Sequence, residues 1–234
     1  MSFSDSVDFC TKNFESLKQL SQNADIVLLP SFIALSNVIN LVINSSIAIG
    51  GQNCSEYKNG AYTGEISASS LAEIGVTYCI IGHSERRIYY HETPDLIIKK
   101  IELSFAHNIQ PIICIGETKQ DFVDKKTYEI LTKQIEALIP IMHQQNRQII
   151  IAYEPIWSIG TGIIPEVTVL QKIFAWLRQF ISSQRQNNPI KLLYGGSVNT
   201  SNISQLKSIE DIDGFLIGSA STTYEEFEKI IVSK

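Results

Sequence analysis

The stretch Ile149-Ile150-Ile151-Ala152-Tyr153-Glu154-Pro155-Ile156-Trp157-Ser158-Ile159-Gly160-Thr161-Gly162 decides how the chain is read. Its first four residues form an apolar, mostly β-branched run of strand length. A continuous run of this kind marks a strand covered on both faces, as in parallel sheets. The run leads to a carboxylate, Glu154, and Pro155 then lacks the N–H that a ladder needs. Beyond it, Pro155, Ile156 and Trp157 are stiff or bulky, whereas Gly160 and Gly162 admit backbone angles closed to other residues. A rigid body with pliable ends is the composition of a lid. A carboxylate under an apolar lid is a candidate base, because loss of hydration raises its pKa towards neutrality. Taken alone, the stretch fits a strand-end Glu beside an ordinary turn equally well.

Outward from it, the pattern repeats. Strands are expected at 26–29, 47–50, 78–81, 111–115, 192–194 and 214–217. Helices are expected at 4–21 with Ser4 as N-cap, at 32–42, and at 67–74 closed by Gly75. Further helices follow at 94–107, in one long piece at 120–144, at 166–184 before the polar Asn187-Asn188-Pro189, at 201–207 and at 223–232. Such strand–helix alternation builds a parallel α/β sheet with right-handed crossovers. Asn53, His83, Glu117, Glu154, Ser197 and Ser219 all come just after strands, where parallel folds gather their sites. An open doubly wound sheet is the competing architecture, but its GxGxxG marker after the first strand is missing. Candidate residues spread over most strand ends favour a closed barrel. No linker, charge block or low-complexity tract interrupts residues 1–234, so one domain is expected.

The bulk numbers narrow the function class. The chain has 234 residues, of which 44% are hydrophobic and 18% charged, with a net charge of −5. That balance offers no basic footprint for nucleic acid. No apolar run reaches the roughly 18 residues of a membrane span. Cys10, Cys54, Cys79 and Cys114 are far apart and suit reduced thiols of a cytosolic protein. No CxxC pair is present.

His83 follows Ile80-Ile81-Gly82 and opens Ser84-Glu85-Arg86-Arg87. At a helix N-terminus the positive end of the dipole favours the neutral imidazole, which can donate a hydrogen bond to a carbonyl and polarise it. A lone His is more often structural, but Glu154 is expected on the same rim. Gly195-Gly196-Ser197 and Gly218-Ser219 each follow a strand and precede a short helix, the arrangement of an anion cradle built from backbone N–H groups. Two such sites in the last two strand–helix units fit a barrel that holds phosphate there.

Several segments together resemble the triosephosphate isomerase family, in its order and spacing over nearly the whole chain. They are Gln52-Asn53-Cys54, Thr63-Gly64-Glu65-Ile66-Ser67, Gly82-His83-Ser84-Glu85-Arg86-Arg87, Ile113-Cys114-Ile115-Gly116-Glu117, Tyr153–Gly162, Tyr194-Gly195-Gly196-Ser197-Val198 and Asp213-Gly214-Phe215-Leu216-Ile217-Gly218. The family is itself a standard illustration of a Glu base, a neutral His electrophile and a closing loop. The resemblance implies a TIM (β/α)8 barrel that interconverts dihydroxyacetone phosphate and glyceraldehyde 3-phosphate. Glu154 would move the proton and His83 polarise the carbonyl. Gly160, Ser197, Gly218 and Ser219 would bind the substrate phosphate. Glu85, Arg87, Cys114 and Glu117 would support the site. Gln52, Asn53 and Thr63 would contact a partner subunit in a homodimer. No cofactor and no metal is implied, and the expected location is the cytoplasm.

The resemblance also exposes departures. The family begins with a strand bearing Asn-x-Lys, and this chain has no such motif; its resemblance starts at the first helix. Seven strands are therefore expected where a closed barrel has eight. Losing a preorganised donor to a developing oxyanion typically costs about 10²–10³ in rate, so the chain as given is expected to be weakly active or inactive. The intact downstream pattern favours an N-terminally incomplete sequence over an impaired variant. Ser219 stands where glycine is usual, and Ile163-Ile164 where the lid carries Lys-Thr. Two alternatives stay open: a non-catalytic barrel that binds small phosphates, and another phosphate-handling barrel isomerase, against which the Glu154 lid and His83 argue.

Overall fold

The computed structural model describes residues 1–144, 147–184 and 189–233. Elements run in the order α1 (Phe3–Leu20), β1 (Val27–Leu28), α2 (Leu35–Val42), β2 (Ala48–Gly51), α3 (Ala68–Glu73), β3 (Tyr78–Ile81), α4 (Ser84–Tyr89), α5 (Pro94–Ala106) and β4 (Gln110–Ile115). The order continues with α6 (Lys119–Val123), α7 (Thr127–Glu136), α8 (Ile139–Gln144), β5 (Ile149–Tyr153), α9 (Val167–Ser183), β6 (Ile190–Tyr194), α10 (Ile203–Lys207), β7 (Gly214–Phe215) and α11 (Tyr224–Val232). Among the described residues, seven strands are formed, the number read from the sequence. The chain also divides into two compact units.

The first unit comprises Met1–Ile81, Asp95–Pro111 and Thr222–Val232. In it β1, β2 and β3 pair in parallel, with Leu28 opposite Ile49 and Gly51 opposite Cys79. Helix α1 starts at a capping box: the Asp5 N–H donates to Ser2 Oγ (3.1 Å) and the Ser2 N–H returns to Asp5 Oδ2 (3.1 Å). The N-cap is therefore Ser2 and not Ser4, because only Ser2 has a carboxylate three residues on to close the box. Cys10, Leu17 and Leu20 form the buried face of α1, and Phe9 meets Phe227 of α11 edge-on at 6.1 Å.

The second unit comprises mainly Gly82–Pro94 and Ile112–Ser221. Strands β4, β5, β6 and β7 pair in parallel, and Cys114 lies opposite Ala152, Tyr153 opposite Tyr194, and Tyr194 opposite Phe215. All five residues of β5 are buried, as a strand covered on both faces should be. The helix expected over 120–144 is broken into α6, α7 and α8. Lys125 takes a left-handed conformation (φ +59°) that ends α6. Pro140 sits in the first turn of α8, where its missing N–H costs nothing. Strand β7 is shorter than the 214–217 read from the sequence. Asn187 and Asn188, taken as the polar end of a helix, lie outside the described residues.

Candidate active site

Glu154 emerges from the carboxyl end of β5 into a space fixed by backbone. Its N–H donates to the Ile115 carbonyl at 2.7 Å, and the Gly195 N–H donates to the Tyr153 carbonyl at 2.8 Å. These two bonds hold the ends of β4, β5 and β6 level. Neighbouring glycines leave the carboxylate its room. A Cβ on Gly116 would lie 1.8 Å from the Glu154 carbonyl oxygen, and one on Gly195 would lie 2.8 Å from Glu154 Cγ. The Gln134 side-chain amide grips Gly116 from the other side, accepting its N–H and donating to its carbonyl, both at 2.9 Å.

The glutamate is 1% exposed. Burial raises its carboxyl above the ordinary carboxylate range, against the opposing pull of His83, the Cys114 thiol, the Ser84 N–H and the Arg87 charge. Oε2 accepts from the Ser84 N–H at 3.3 Å. Oε1 has no hydrogen bond of full geometry, although His83 Nε2 lies 3.3 Å from it. His83 is the N-cap of α4, and its Nδ1 accepts from the Glu85 N–H at 3.3 Å. An accepting Nδ1 puts the ring proton of a neutral imidazole on Nε2, the nitrogen that faces Glu154. One ring atom thus caps the helix while the other addresses the site.

The remaining sequence candidates divide into those that support this pair and those that lie elsewhere. Arg87 Nε donates to the Gly82 carbonyl (2.8 Å) and Nη2 to the Cys114 carbonyl (2.9 Å), tying α4 to the end of β4. Cys114 is buried against Glu154, and burial pushes its thiol well above the usual range. Glu117 is buried and accepts from Tyr153 Oη at 3.0 Å, its carboxyl raised by burial. The Glu85 side chain is largely exposed, 3.8 Å from His83 Nδ1. In the first unit, Gln52 Nε2 donates to the Leu29 carbonyl (2.9 Å), and Lys100 Nζ donates to Asn53 Oδ1 (3.0 Å). Thr63 is exposed on the 52–64 loop, where Tyr57 and Tyr62 stack at 4.0 Å.

The segment expected to act as a lid begins with one 3-10 turn, Ile156–Ser158, and bends at Gly160 (φ +68°) and Gly162 (φ +76°). Those positive angles are where glycine is needed. A Cβ on Gly160 or Gly218 would meet nothing within 4 Å. Ser197 follows β6 in a loop, five residues before the Asn202 N-cap of α10, so its N–H belongs to the loop and not to a helix end. Ser219 opens a 3-10 turn, Ser219–Ser221.

Residue-by-residue reading missed three contributors: the Ser84 N–H, Gln134 and Ser158. Ser158 did carry a signal, as a lone hydroxyl in the otherwise apolar Ile156-Trp157-Ser158-Ile159. Among the described residues no cluster of His, Cys, Asp and Glu is arranged to hold a metal ion, and no helix is long and apolar enough to cross a membrane.

A buried carboxylate facing an imidazole, at the ends of parallel strands, defines an α/β protein with a candidate acid–base pair. The family described as triosephosphate isomerase matches residues 2–234. Relatives carrying that name include one from Phocaeicola vulgatus, 38% identical over 93% of this chain and 88% of its own. Another, from Buchnera aphidicola, is 38% identical over 94% and 88%. One from Thermoanaerobacter pseudethanolicus is 40% identical over 89% and 86%. The chain belongs to the triosephosphate isomerase family, and its fold class is therefore the α/β TIM barrel expected from the sequence.

Proposed function

We propose that the chain interconverts dihydroxyacetone phosphate and D-glyceraldehyde 3-phosphate, without cofactor or metal. The observation that carries this reading is the 3.3 Å approach of His83 Nε2 to Glu154 Oε1. Both groups can face one three-carbon substrate from neighbouring positions. Glu154, ionised, takes a proton from the carbon beside the carbonyl. The electron pair of that C–H bond forms the enediol double bond, and the carbonyl oxygen gains charge facing the His83 Nε2–H. The proton of the neighbouring hydroxyl passes to that charged oxygen, and the electron pair it leaves behind forms the new carbonyl. Glu154 returns its proton to the carbon that bore the old carbonyl, so the base ends the cycle as it began. A base raised by burial suits the task, because proton transfer is most effective when base pKa and working pH lie close.

The phosphate belongs at the other end of the site, on the backbone N–H groups of Gly160, Ser197, Gly218 and Ser219. Lid closure over it would exclude water from the enediol. Arg87, Cys114 and Glu117 support the reading as positioning residues. The family match across 2–234 supports one domain that includes both compact units. Thr63, with the half-exposed Tyr57–Tyr62 stack, suits a contact with a second copy, and the dimer and a cytosolic location are part of this proposal.

The test is a coupled assay on the purified chain with both trioses. Isomerisation that disappears in Glu154→Gln supports the reading. Phosphate-analogue binding with no turnover in the wild type selects a non-catalytic phosphate-binding barrel instead. Family-level turnover would refute the expectation of weak activity drawn from the missing Asn-x-Lys. Light scattering on the same sample decides between monomer and dimer.

A further inference from the structure

Ser158 is fully buried, and its hydroxyl joins three pieces of chain. Oγ donates to the carbonyl of Ile163, at the far end of the lid, at 2.6 Å. It shares a hydrogen bond with Tyr194 Oη of β6 at 3.1 Å. It also accepts the Ser197 N–H at 3.2 Å. With one proton to give and two lone pairs to fill, the hydroxyl is saturated if Tyr194 is the donor. The site is tight: a Cβ on Gly196 would lie 2.3 Å from Tyr194 Oη and 2.8 Å from Ser158 Oγ.

The Ser197 N–H is one of the donors assigned above to the substrate phosphate, and here it is already engaged by the lid's own hydroxyl. An N–H directed at Ser158 Oγ is not available in full to a phosphate oxygen. We propose that Ser158 is a positioning residue that latches the lid: its hydroxyl occupies the phosphate donor at Ser197, and phosphate must displace it to bind. Displacement also loosens the hold of Oγ on the Ile163 carbonyl, so arrival of the anion at Ser197 is coupled to release of the lid's far end. The latch rests on the isomerase reading, through the role it gives Ser197.

Inorganic phosphate is the probe, titrated into the full chain while the Ser197 amide is followed by NMR and by hydrogen exchange. In the wild type without phosphate that amide should be protected. In Ser158→Ala it should exchange faster, and half-saturation by phosphate should fall roughly three- to tenfold, the range of one ordinary hydrogen bond. Tyr194→Phe keeps the Ser158–Ser197 bond and should tighten phosphate less than Ser158→Ala does. A merely structural serine gives the opposite sign, a looser lid and weaker phosphate binding. Unchanged or weaker binding in Ser158→Ala overturns the latch, as does equal tightening in Tyr194→Phe. An unprotected Ser197 amide in the wild type overturns it without any variant. A wild type that isomerises trioses while its Ser197 amide ignores phosphate overturns the latch and leaves the isomerase reading standing. A wild type that neither binds phosphate nor isomerises overturns both.

Discussion

The two ends of the candidate site use glycine for different reasons. Around Glu154, glycine is there for space: a Cβ at 116 or 195 would collide with the glutamate itself. On the lid and after β7, at Gly160, Gly162 and Gly218, a Cβ would meet nothing within 4 Å. At the lid the reason is backbone conformation, since Gly160 and Gly162 both have positive φ. The surroundings of Glu154 are therefore a close-packed mould that extends to Gly196, whereas Gly160, Gly162 and Gly218 are open backbone. In general, base placement tolerates little displacement, whereas an anion cradle must admit and release its ligand.

The largest break in that contrast should come from the base. Glu154→Gln should lower kcat by a factor on the order of 10²–10⁴, the usual worth of a positioned general base. His83→Asn should follow, with a loss of about 10²–10³ for one electrophilic donor. Gly195→Ala should cost about 10² in kcat by pushing Glu154 out of place. Gly218→Ala, at the open end, should leave kcat nearly unchanged. Equal losses in the two glycine variants would erase the contrast.

A smaller effect sharpens it through pH. The Glu154 carboxyl is raised in the folded state, by burial above all. The folded chain thus binds that proton more tightly than the unfolded chain, and ionisation opposes folding. Stability from this group is full below the unfolded carboxylate pKa and is lost as pH rises through the folded one. Activity needs the ionised form and should fall tenfold per pH unit on the acid side, starting above the ordinary carboxylate range. Glu154→Gln should accordingly melt a few degrees higher than wild type at neutral pH, with the gap closing in acid. A variant that melts lower at neutral pH would contradict the burial account.

Periodicity made much of the fold legible. β3 was read at 78–81, where it lies, because its apolar run stands between Gly75 and Gly82, and α5, which opens at Pro94, was read within a residue. The 120–144 segment misled because its apolar spacing continues past Lys125, and nothing in a lysine announces a left-handed backbone. The Glu154–His83 pair was legible because both residues follow strands. The Ser158 hub was not, since its partners at 163, 194 and 197 converge only once β5 and β6 stand side by side.

The tryptophans give this last point a practical side. Trp157 rides on the lid, its ring 4.8 Å from Phe122, while Trp176 is fixed in α9 between Tyr128 and Phe180, each at 5.1 Å. The sequence contains no other indole. Replacing Trp176 with Phe would leave a single emitter on the segment proposed to close, so that a stopped-flow fluorimeter could test for its travel without any attached dye.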